Sequence, residues 1–165
     1  MTTTWLPEHE WLASLVRAYV GSSVLLTDPD GNVLLLKASY RESWLYPGGA
    51  IDQGESPDQC AARELREETG LSAQSLRLVV VEWRDPLPEQ GQQAHPAVQF
   101  MFDGGTVSAG SVIHPQAEEV AEYGFFPVPR ALELLHPHAV PRLVHALRAR
   151  RDGGTALLHS PGYLG

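Results

Sequence analysis

Three glutamates lie within five residues of one another in the segment "RELREETG" (63–70). On a helix, the spacing of Glu64, Glu67 and Glu68 places all three side chains, here called the helix glutamates, at neighbouring points of one surface. Like charges at this spacing destabilise a helix by roughly 0.2–0.5 kcal/mol per pair. A divalent cation reverses this effect, because Mg²⁺ and Mn²⁺ favour carboxylate oxygens as ligands. The helix glutamates therefore predict a metal site.

A Pro-Gly-Gly turn at residues 47–49 precedes the acidic segment. Glycine lets the backbone approach closely, so the Gly48–Gly49 turn can offer a carbonyl oxygen to a metal. Mg²⁺ sites usually combine a few carboxylates with waters and substrate phosphates. Taken alone, the acidic run is typical of a solvated helix face and the Pro-Gly-Gly of an ordinary turn. Their joint spacing favours a magnesium site that holds a phosphorylated substrate.

The helix that carries the glutamates has well-marked ends in the sequence. Ser56 is a suitable N-cap, Pro57 occupies the first helical position, and Gln59 completes a capping box. Gly70 is a suitable C-terminal cap. The sequence therefore predicts a helix over residues 57–69.

This region resembles the signature of the Nudix hydrolases: a glycine, five residues, a glutamate, seven residues, then Arg-Glu-aliphatic-x-Glu-Glu-x-Gly-aliphatic. Every fixed position is filled, over residues 49–71, by Gly49, Glu55, Arg63, Glu64, Leu65, Glu67, Glu68, Gly70 and Leu71. The resemblance implies an α/β fold in which a mixed β-sheet is sandwiched between α-helices, with the signature forming a loop–helix–loop. It also implies hydrolysis of the diphosphate linkage of a nucleoside diphosphate joined to another moiety.

The resemblance further implies roles for individual residues. The helix glutamates would be ligands of Mg²⁺ or Mn²⁺, with the carbonyl oxygen of Gly48 as a further ligand. Glu55, Arg63 and Gly49 would support and orient these ligands. The helix glutamates and Arg63 would together form the catalytic group.

The carboxylate that takes the proton from the attacking water is open between two places. By resemblance it lies either in the signature helix, as Glu68, or on a later loop before the last strands. Glu118 and Glu119 lie in such a loop and Glu122 follows, with Glu119 as the preferred loop candidate. The alternative interpretation of these three residues is a solvated acidic loop.

Three further groups of side chains could do chemistry but favour simpler interpretations. Cys60, the single cysteine, is expected to pack in the interior. His136 and His138 form the segment "HPH", but spacing supplies no third zinc ligand. Four aromatic residues at strand positions could stack on a base, although core packing is the more usual role: Trp83, Tyr123, Phe125 and Phe126.

Around the signature, the sequence predicts the short elements of one mixed α/β domain spanning residues 1–165. Strands are predicted at 22–27, 32–38, 76–83, 97–103 and 120–126, and helices at 8–19, 57–69, 129–135 and 140–151. The first two strands form a hairpin, and the apolar run at 76–83 indicates a central strand. Residues 39–56 and 106–119 are predicted as loops, Gly104-Gly105 as the end of a strand, and 152–165 as a loosely held tail.

Composition limits the classes of partner. The chain has 165 residues and a formal net charge of −8, which argues against binding duplex nucleic acid. A single cysteine allows no intrachain disulfide. The N-terminal segment "MTTTWLPEHEW" lacks the pattern of a signal peptide, and no apolar run is long enough for a bilayer. We therefore expect a cytoplasmic protein whose partner is a small-molecule nucleotide.

Two functions of different class compete. The first is a diphosphate hydrolase acting on a nucleoside triphosphate, as in the MutT-like branch of the family, or on a nucleotide sugar such as ADP-ribose. The second is a nucleotide-sensing or regulatory module without turnover, which the intact helix glutamates disfavour. A homodimer is expected because many members of the family form dimers, and no particular residue of this chain indicates it.

Overall fold

The computed structural model describes residues 5–40, 42–86, 95–108, 111–115 and 118–161. The elements in chain order are α1 (Glu8–Ser14), β1 (Tyr19–Thr27), β2 (Val33–Ala38), β3 (Trp44–Leu45), β4 (Gly48–Ala50), α2 (Pro57–Thr69), β5 (Arg77–Arg84), β6 (Ala97–Thr106), β7 (Val120–Phe126), α3 (Val128–Leu134), a 3₁₀ turn (Pro137–Ala139), α4 (Val140–Asp152) and β8 (Ala156–Ser160). Interleaved strands and helices confirm the predicted α/β class.

The described strands form one mixed sheet of eight, in the order β3-β2-β1-β6-β5-β8, with β4 paired to β1 and β7 paired to β2. The pairs β1–β6 and β5–β8 are parallel, whereas β5–β6 is antiparallel. The predicted β1–β2 hairpin is present, with Thr27 opposite Val33 beside its turn. Farther from the turn, β1 pairs with β4 and β6, whereas β2 pairs with β3 and β7.

Helices cover both faces of the sheet. Because successive side chains of a strand point to opposite faces, β1 contacts a helix on each side. Val24 and Leu26 pack in a cluster with Leu65 of α2. Leu25 lies in a second cluster with Leu143 of α4. The predicted sandwich is therefore confirmed. Within the described residues, no helix is long and apolar enough to cross a bilayer.

The N-terminal helix is shorter than the predicted 8–19. α1 ends at Ser14, and the chain is already extended in β1 from Tyr19. Tyr19 lies opposite Ala97 of β6, so pairing with another strand overrides the helical periodicity at this end. No residue of α1 is buried, and the apolar stripe that suggested the helix is exposed.

The prediction of a loose tail over 152–165 is wrong where the structure describes β8. This strand pairs in parallel with β5, from Ala156 opposite Val80 to Ser160 opposite Arg84. Ala156 and Leu158 pack against the α4 side of the core, whereas Leu157 points away and is 81% exposed. The chain after α4 is therefore an edge strand.

Two other boundaries differ from the prediction. The predicted loop 39–56 contains β3 and β4, which lie against β2 and β1 respectively. Gly104 and Gly105 do not end their strand, since β6 continues to Thr106. A Cβ at Gly104 would lie 2.7 Å from Cγ1 of Val24, so this glycine permits close packing within the strand rather than terminating it.

The remaining predicted elements are confirmed to within a few residues. β5 lies between β6 and β8 and is therefore an interior strand, as its apolar run indicated. The confirmed ranges are the strands predicted at 22–27, 32–38, 76–83 and 120–126 and the helices predicted at 57–69, 129–135 and 140–151.

Candidate active site

α2 begins and ends where the sequence predicts. The backbone N–H of Ser56 donates to Oε1 of Gln59 at 2.9 Å, which forms one half of the capping box. Gly70 ends the helix in the left-handed conformation, with φ of 72°. These local signals fix the rotation and length of the helix that presents the glutamates.

The buried side of α2 directs the acidic side toward β4. Ala61 and Leu65 are fully buried against the sheet. On the adjoining side, Oε2 of Glu68 accepts a hydrogen bond from the backbone N–H of Gly48 at 2.8 Å. The loop and the helix that the signature joins therefore meet at this hydrogen bond.

Both glycines of β4 lie in close contact with neighbouring atoms. Gly48 has φ of +152°, and a Cβ there would lie 2.6 Å from Cα of Ser23 in β1. A Cβ on Gly49 would overlap the carboxylate of Glu64. β4 is thus confined between β1 and the acidic side of α2, which leaves its backbone next to the carboxylates.

We expect Gly49→Ala to lower turnover by about 10- to 100-fold, because the added methyl must displace the carboxylate of Glu64. Steady-state rates with saturating Mg²⁺ will measure the effect. Gly154→Ala is the matched control, since a Cβ there meets nothing within 4 Å. Equal rates for the two variants would contradict a role for Glu64 at this position.

Arg63 binds several carboxylates at once. Its Nε and Nη2 donate to the two carboxylate oxygens of Glu55, each at 2.9 Å. Its Nη1 donates to Glu64 at 2.8 Å and to Glu67 at 3.1 Å. The hydrogen bonds from Arg63 lower the pKa of Glu55 to about 2. Arg63, itself held by Glu55, therefore fixes the positions of the carboxylates of Glu64 and Glu67, and the role of these residues toward a metal stays a prediction.

Glu68 has a raised pKa. Burial is the largest cause and raises the pKa to about 7, while the hydrogen bond from Gly48 acts in the opposite direction. The negative charges of Glu64, Glu119 and Glu67 add to the rise. Burial also raises the pKa of Glu64, against the effect of Arg63. The site therefore carries more negative charge than its surroundings balance.

The loop carboxylates differ in what they contact. Glu122 forms an ion pair with Lys37 at 3.0 Å. Glu118 and Glu119 lie in an exposed turn before β7, and Ser39 donates to the backbone carbonyls of both. The charge of Glu119 reaches Glu64 and Glu68, since it raises the pKa of each. The choice of base between Glu68 and Glu119 stays a prediction.

A cavity of about 500 Å³ adjoins Glu68. Residues of β1, β2 and β4 form its walls near Glu68, and its other walls include two arginines, Arg84 and Arg142, and two histidines, His136 and His138. Neither arginine stands out from the sequence as a site residue. The available signal was Glu82, an acidic residue within an apolar strand, because a buried carboxylate requires a cationic partner.

The other residues singled out from sequence lie as follows. Cys60 is fully buried, and burial raises the pKa of its thiol to about 11. The rings of His136 and His138 stack at 4.5 Å. The indole of Trp83 donates to Asp85 at 3.1 Å and does not line the cavity. Tyr123, Phe125 and Phe126 are likewise outside its lining.

The carboxylate and carbonyl oxygens of the site suit a hard cation, although Arg63 occupies some of the same carboxylates. In the part of the chain that the structure describes, no three His, Cys, Asp or Glu side chains converge to hold a metal by themselves. Arg63 instead pairs with Glu64 and Glu67. The raised pKa of Glu68 and the backbone of β4 beside the carboxylates fit a divalent cation. Cation binding would therefore compete with Arg63.

The site therefore combines a mixed sheet between helices, an acidic helix packed on a glycine-rich strand, and an adjoining cavity. The NUDIX domain model matches residues 18–147, which is most of the chain. The chain therefore belongs to the Nudix family.

Two solved structures share the fold. The MutT protein from Methanosarcina mazei Go1 aligns with a TM-score of 0.65 and 22% identity, covering 85% of this chain and 99% of that one. The NUDIX domain of Shewanella oneidensis NrtR, complexed with ADP ribose, aligns with a TM-score of 0.65 and 21% identity, covering 88% and 99%.

A curated relative matches over a shorter stretch. The RNA pyrophosphohydrolase of Mannheimia succiniciproducens is 39% identical over 70 residues, covering 41% of this chain and 36% of that protein. The chain thus matches about a third of the length of the curated relatives it resembles.

Proposed function

We propose that this chain is a Mg²⁺- or Mn²⁺-dependent hydrolase that cleaves the diphosphate linkage of a nucleoside diphosphate joined to another moiety. The observation that carries the proposal is Glu68. Its carboxylate adjoins the cavity, accepts the N–H of Gly48, and has a pKa raised to about 7 beside Glu64 and Glu67. Membership of the Nudix family and the name of the curated relatives support pyrophosphate hydrolysis.

The helix glutamates and the carbonyl oxygen of Gly48 would hold the cation. When bound, a divalent cation neutralises phosphate charge and lowers the pKa of a bound water. The residues of the chain then have separate tasks. Arg63, fixed by Glu55, orients Glu64 and Glu67. Glu68 or Glu119 accepts the proton of the attacking water.

The cavity has the size of a nucleotide site. Its volume of about 500 Å³ lies within the range of roughly 300–1,000 Å³ typical of small-molecule pockets. A nucleoside triphosphate and a nucleotide sugar such as ADP-ribose are the candidate substrates. The name of the curated relatives, RNA pyrophosphohydrolase, adds RNA to the candidate substrates. We place this reaction in the cytoplasm, and a homodimer stays a prediction.

A product screen tests the proposal. Nucleoside triphosphates, ADP-ribose, other nucleotide sugars, dinucleoside polyphosphates and short 5′-triphosphorylated RNA are each incubated with Mg²⁺ or Mn²⁺, and the products are separated by chromatography. Glu67→Gln is run alongside. Turnover of one class that the variant loses would support the hydrolase. Binding by thermal shift without any turnover would favour the nucleotide-sensing module instead.

The pKa of Glu68 predicts how stability depends on pH. Since this pKa rises from 4.5 to about 7 on folding, the metal-free folded protein binds the proton more tightly than the unfolded chain. The resulting stabilisation is complete below pH 4.5 and is lost as the pH rises through about 7. We expect urea unfolding in EDTA to show this loss in the wild type and a smaller loss in Glu68→Gln, where the raised pKa of Glu64 remains.

Two features sharpen this measurement. The lowered pKa of Glu55, about 2, affects stability only below pH 4.5, so the two effects do not overlap. Mg²⁺ competes with the proton on Glu68, so the stabilisation by Mg²⁺ should grow as the pH rises. Parallel pH curves for the wild type and Glu68→Gln would contradict the assignment.

A further inference from the structure

The cavity has a second end that the proposed chemistry does not use. Glu68 lies against β4 at one end, and Arg84, at the end of β5, borders the other. β4, β1, β6 and β5 are successive neighbours in the sheet. Three strand spacings of about 4.8 Å therefore separate the two ends by roughly 14 Å across the sheet. Arg84 also lies four residues farther along β5 than Val80, which is in register with Gly48, so the ends are offset along the strands by roughly 13 Å as well.

The row of residues between the two ends is closely packed at a glycine. Gly21 of β1 lies opposite both Ala50 of β4 and Gln99 of β6, and Gln99 lies opposite Glu82 of β5. A Cβ at Gly21 would approach the side-chain oxygen of Gln99 to 2.9 Å. The amide of Gln99 therefore takes the space of the missing side chain, and it lines the cavity between the two ends.

Arg142 is fixed at the far end by a buried ion pair. Its Nη1 contacts Oε2 of Glu82 at 2.5 Å, and Glu82 is completely buried. The hydroxyl of Ser160 donates to the other oxygen of Glu82 at 2.6 Å. Among the described residues, the buried Nε of Arg142 has no hydrogen-bond partner. Arg142 is therefore held in place and still has a donor to offer.

Arg84 adds a charge that Glu82 does not balance. It is half-buried, and its guanidinium makes no ion pair or hydrogen bond within residues 5–40, 42–86, 95–108, 111–115 and 118–161. Burial and then the positive charge of Arg142 lower its pKa. Two arginines facing one carboxylate leave a positive charge in excess, and an anion in the cavity would balance it.

We propose that Arg84 and Arg142 form a subsite for a second phosphate ester of the substrate, three strand spacings from the diphosphate next to Glu68. The inference rests on the proposed function, because one molecule must reach both ends of the cavity. Two kinds of nucleotide present such a group. One carries a phosphate on its ribose, and the other is a 5′-phosphorylated dinucleotide whose phosphodiester supplies the charge.

Two pairs of ligands test the subsite. NADP⁺ and NAD⁺ differ by one phosphate on the ribose. ATP lacks both the phosphodiester and the guanosine of pppApG, so in this pair the loss of the preference in the arginine variant separates the contribution of the charge from that of the base. Dissociation constants are measured by calorimetry in EDTA, and kcat and KM separately with Mg²⁺. The variants are Arg84→Gln and, as a control for the lost charge, Arg148→Gln, which is exposed on α4 and outside the cavity.

The wild type should bind the phosphate-bearing member of one pair at least about tenfold more tightly, and Arg84→Gln should remove that preference. Arg148→Gln should retain it. The pair that shows the preference identifies the source of the phosphate. Equal affinity within both pairs would overturn the subsite. A preference in EDTA, together with no turnover of any substrate in the product screen, would support the subsite and contradict the proposed hydrolase, so the two failures are distinguishable.

Discussion

Glu68→Gln is expected to lower kcat by roughly 10²- to 10⁴-fold, the range for losing a positioned proton acceptor. Glutamine keeps an oxygen that can accept the N–H of Gly48, so the contact between α2 and β4 survives. It removes the charge that burial and the neighbouring carboxylates oppose. The metal-free variant should therefore melt at or above the wild-type temperature at pH 8.

Initial rates with saturating Mg²⁺, together with circular dichroism, will measure both effects. Glu133→Gln is the control, because Glu133 is exposed on α3 and pairs only locally with Arg130 at 2.8 Å. A kcat for Glu68→Gln close to that of the control would refute the site. Glu119→Gln separates the two candidate bases: a changed pH–rate profile assigns the proton to Glu119, and an unchanged one to Glu68.

Glu82→Gln should destabilise the fold by about 3–5 kcal/mol, because it leaves Arg142 buried without a countercharge. The side chains of both residues are nearly inaccessible, at 0% for Glu82 and 8% for Arg142. Arg84 adds to the loss of stability, since the positive charge of Arg84 also interacts with the carboxylate of Glu82 that the substitution removes. A fall in melting temperature on the order of 10 °C is expected for a domain of this size.

Urea unfolding at neutral pH measures the loss. The double variant Glu82→Gln, Arg142→Met should recover at least half of it, since neither charge is then buried alone. Arg130→Gln breaks an exposed ion pair and should cost less than about 1 kcal/mol. A loss of that small size for Glu82→Gln would show that the buried pair does not stabilise the fold.

The parts of the site that could be predicted from sequence are those joined by short separations. Arg63 contacts Glu67 within one turn of helix and Glu55 across eight residues. Helix periodicity brings Arg63 beside Glu67, whereas the role of Glu55 was implied by the resemblance to the Nudix signature. The Arg142–Glu82 pair spans 60 residues and the Ser160–Glu82 bond 78. No local pattern encodes such contacts, because they depend on the order of strands in the sheet.

The same reason explains the wrong element assignments. β8 is short and follows two glycines, and it is a strand only because β5 offers it a partner. Tyr19 continues a helical stripe in sequence, yet it pairs with β6. α2, by contrast, has both ends specified by its own residues and was predicted with its observed limits. Elements with local start and stop signals were the predictable ones.

Arg63 also bears on how the protein matures. Since its guanidinium already pairs with Glu55, Glu64 and Glu67, the acidic surface of α2 has an internal counter-ion while the chain folds. Folding need not wait for a supply of metal, and removing the metal should not unravel the helix. The proposed cation would bind carboxylates that Arg63 already holds, so Arg63 would lower the apparent affinity for the cation while it keeps the empty site ordered.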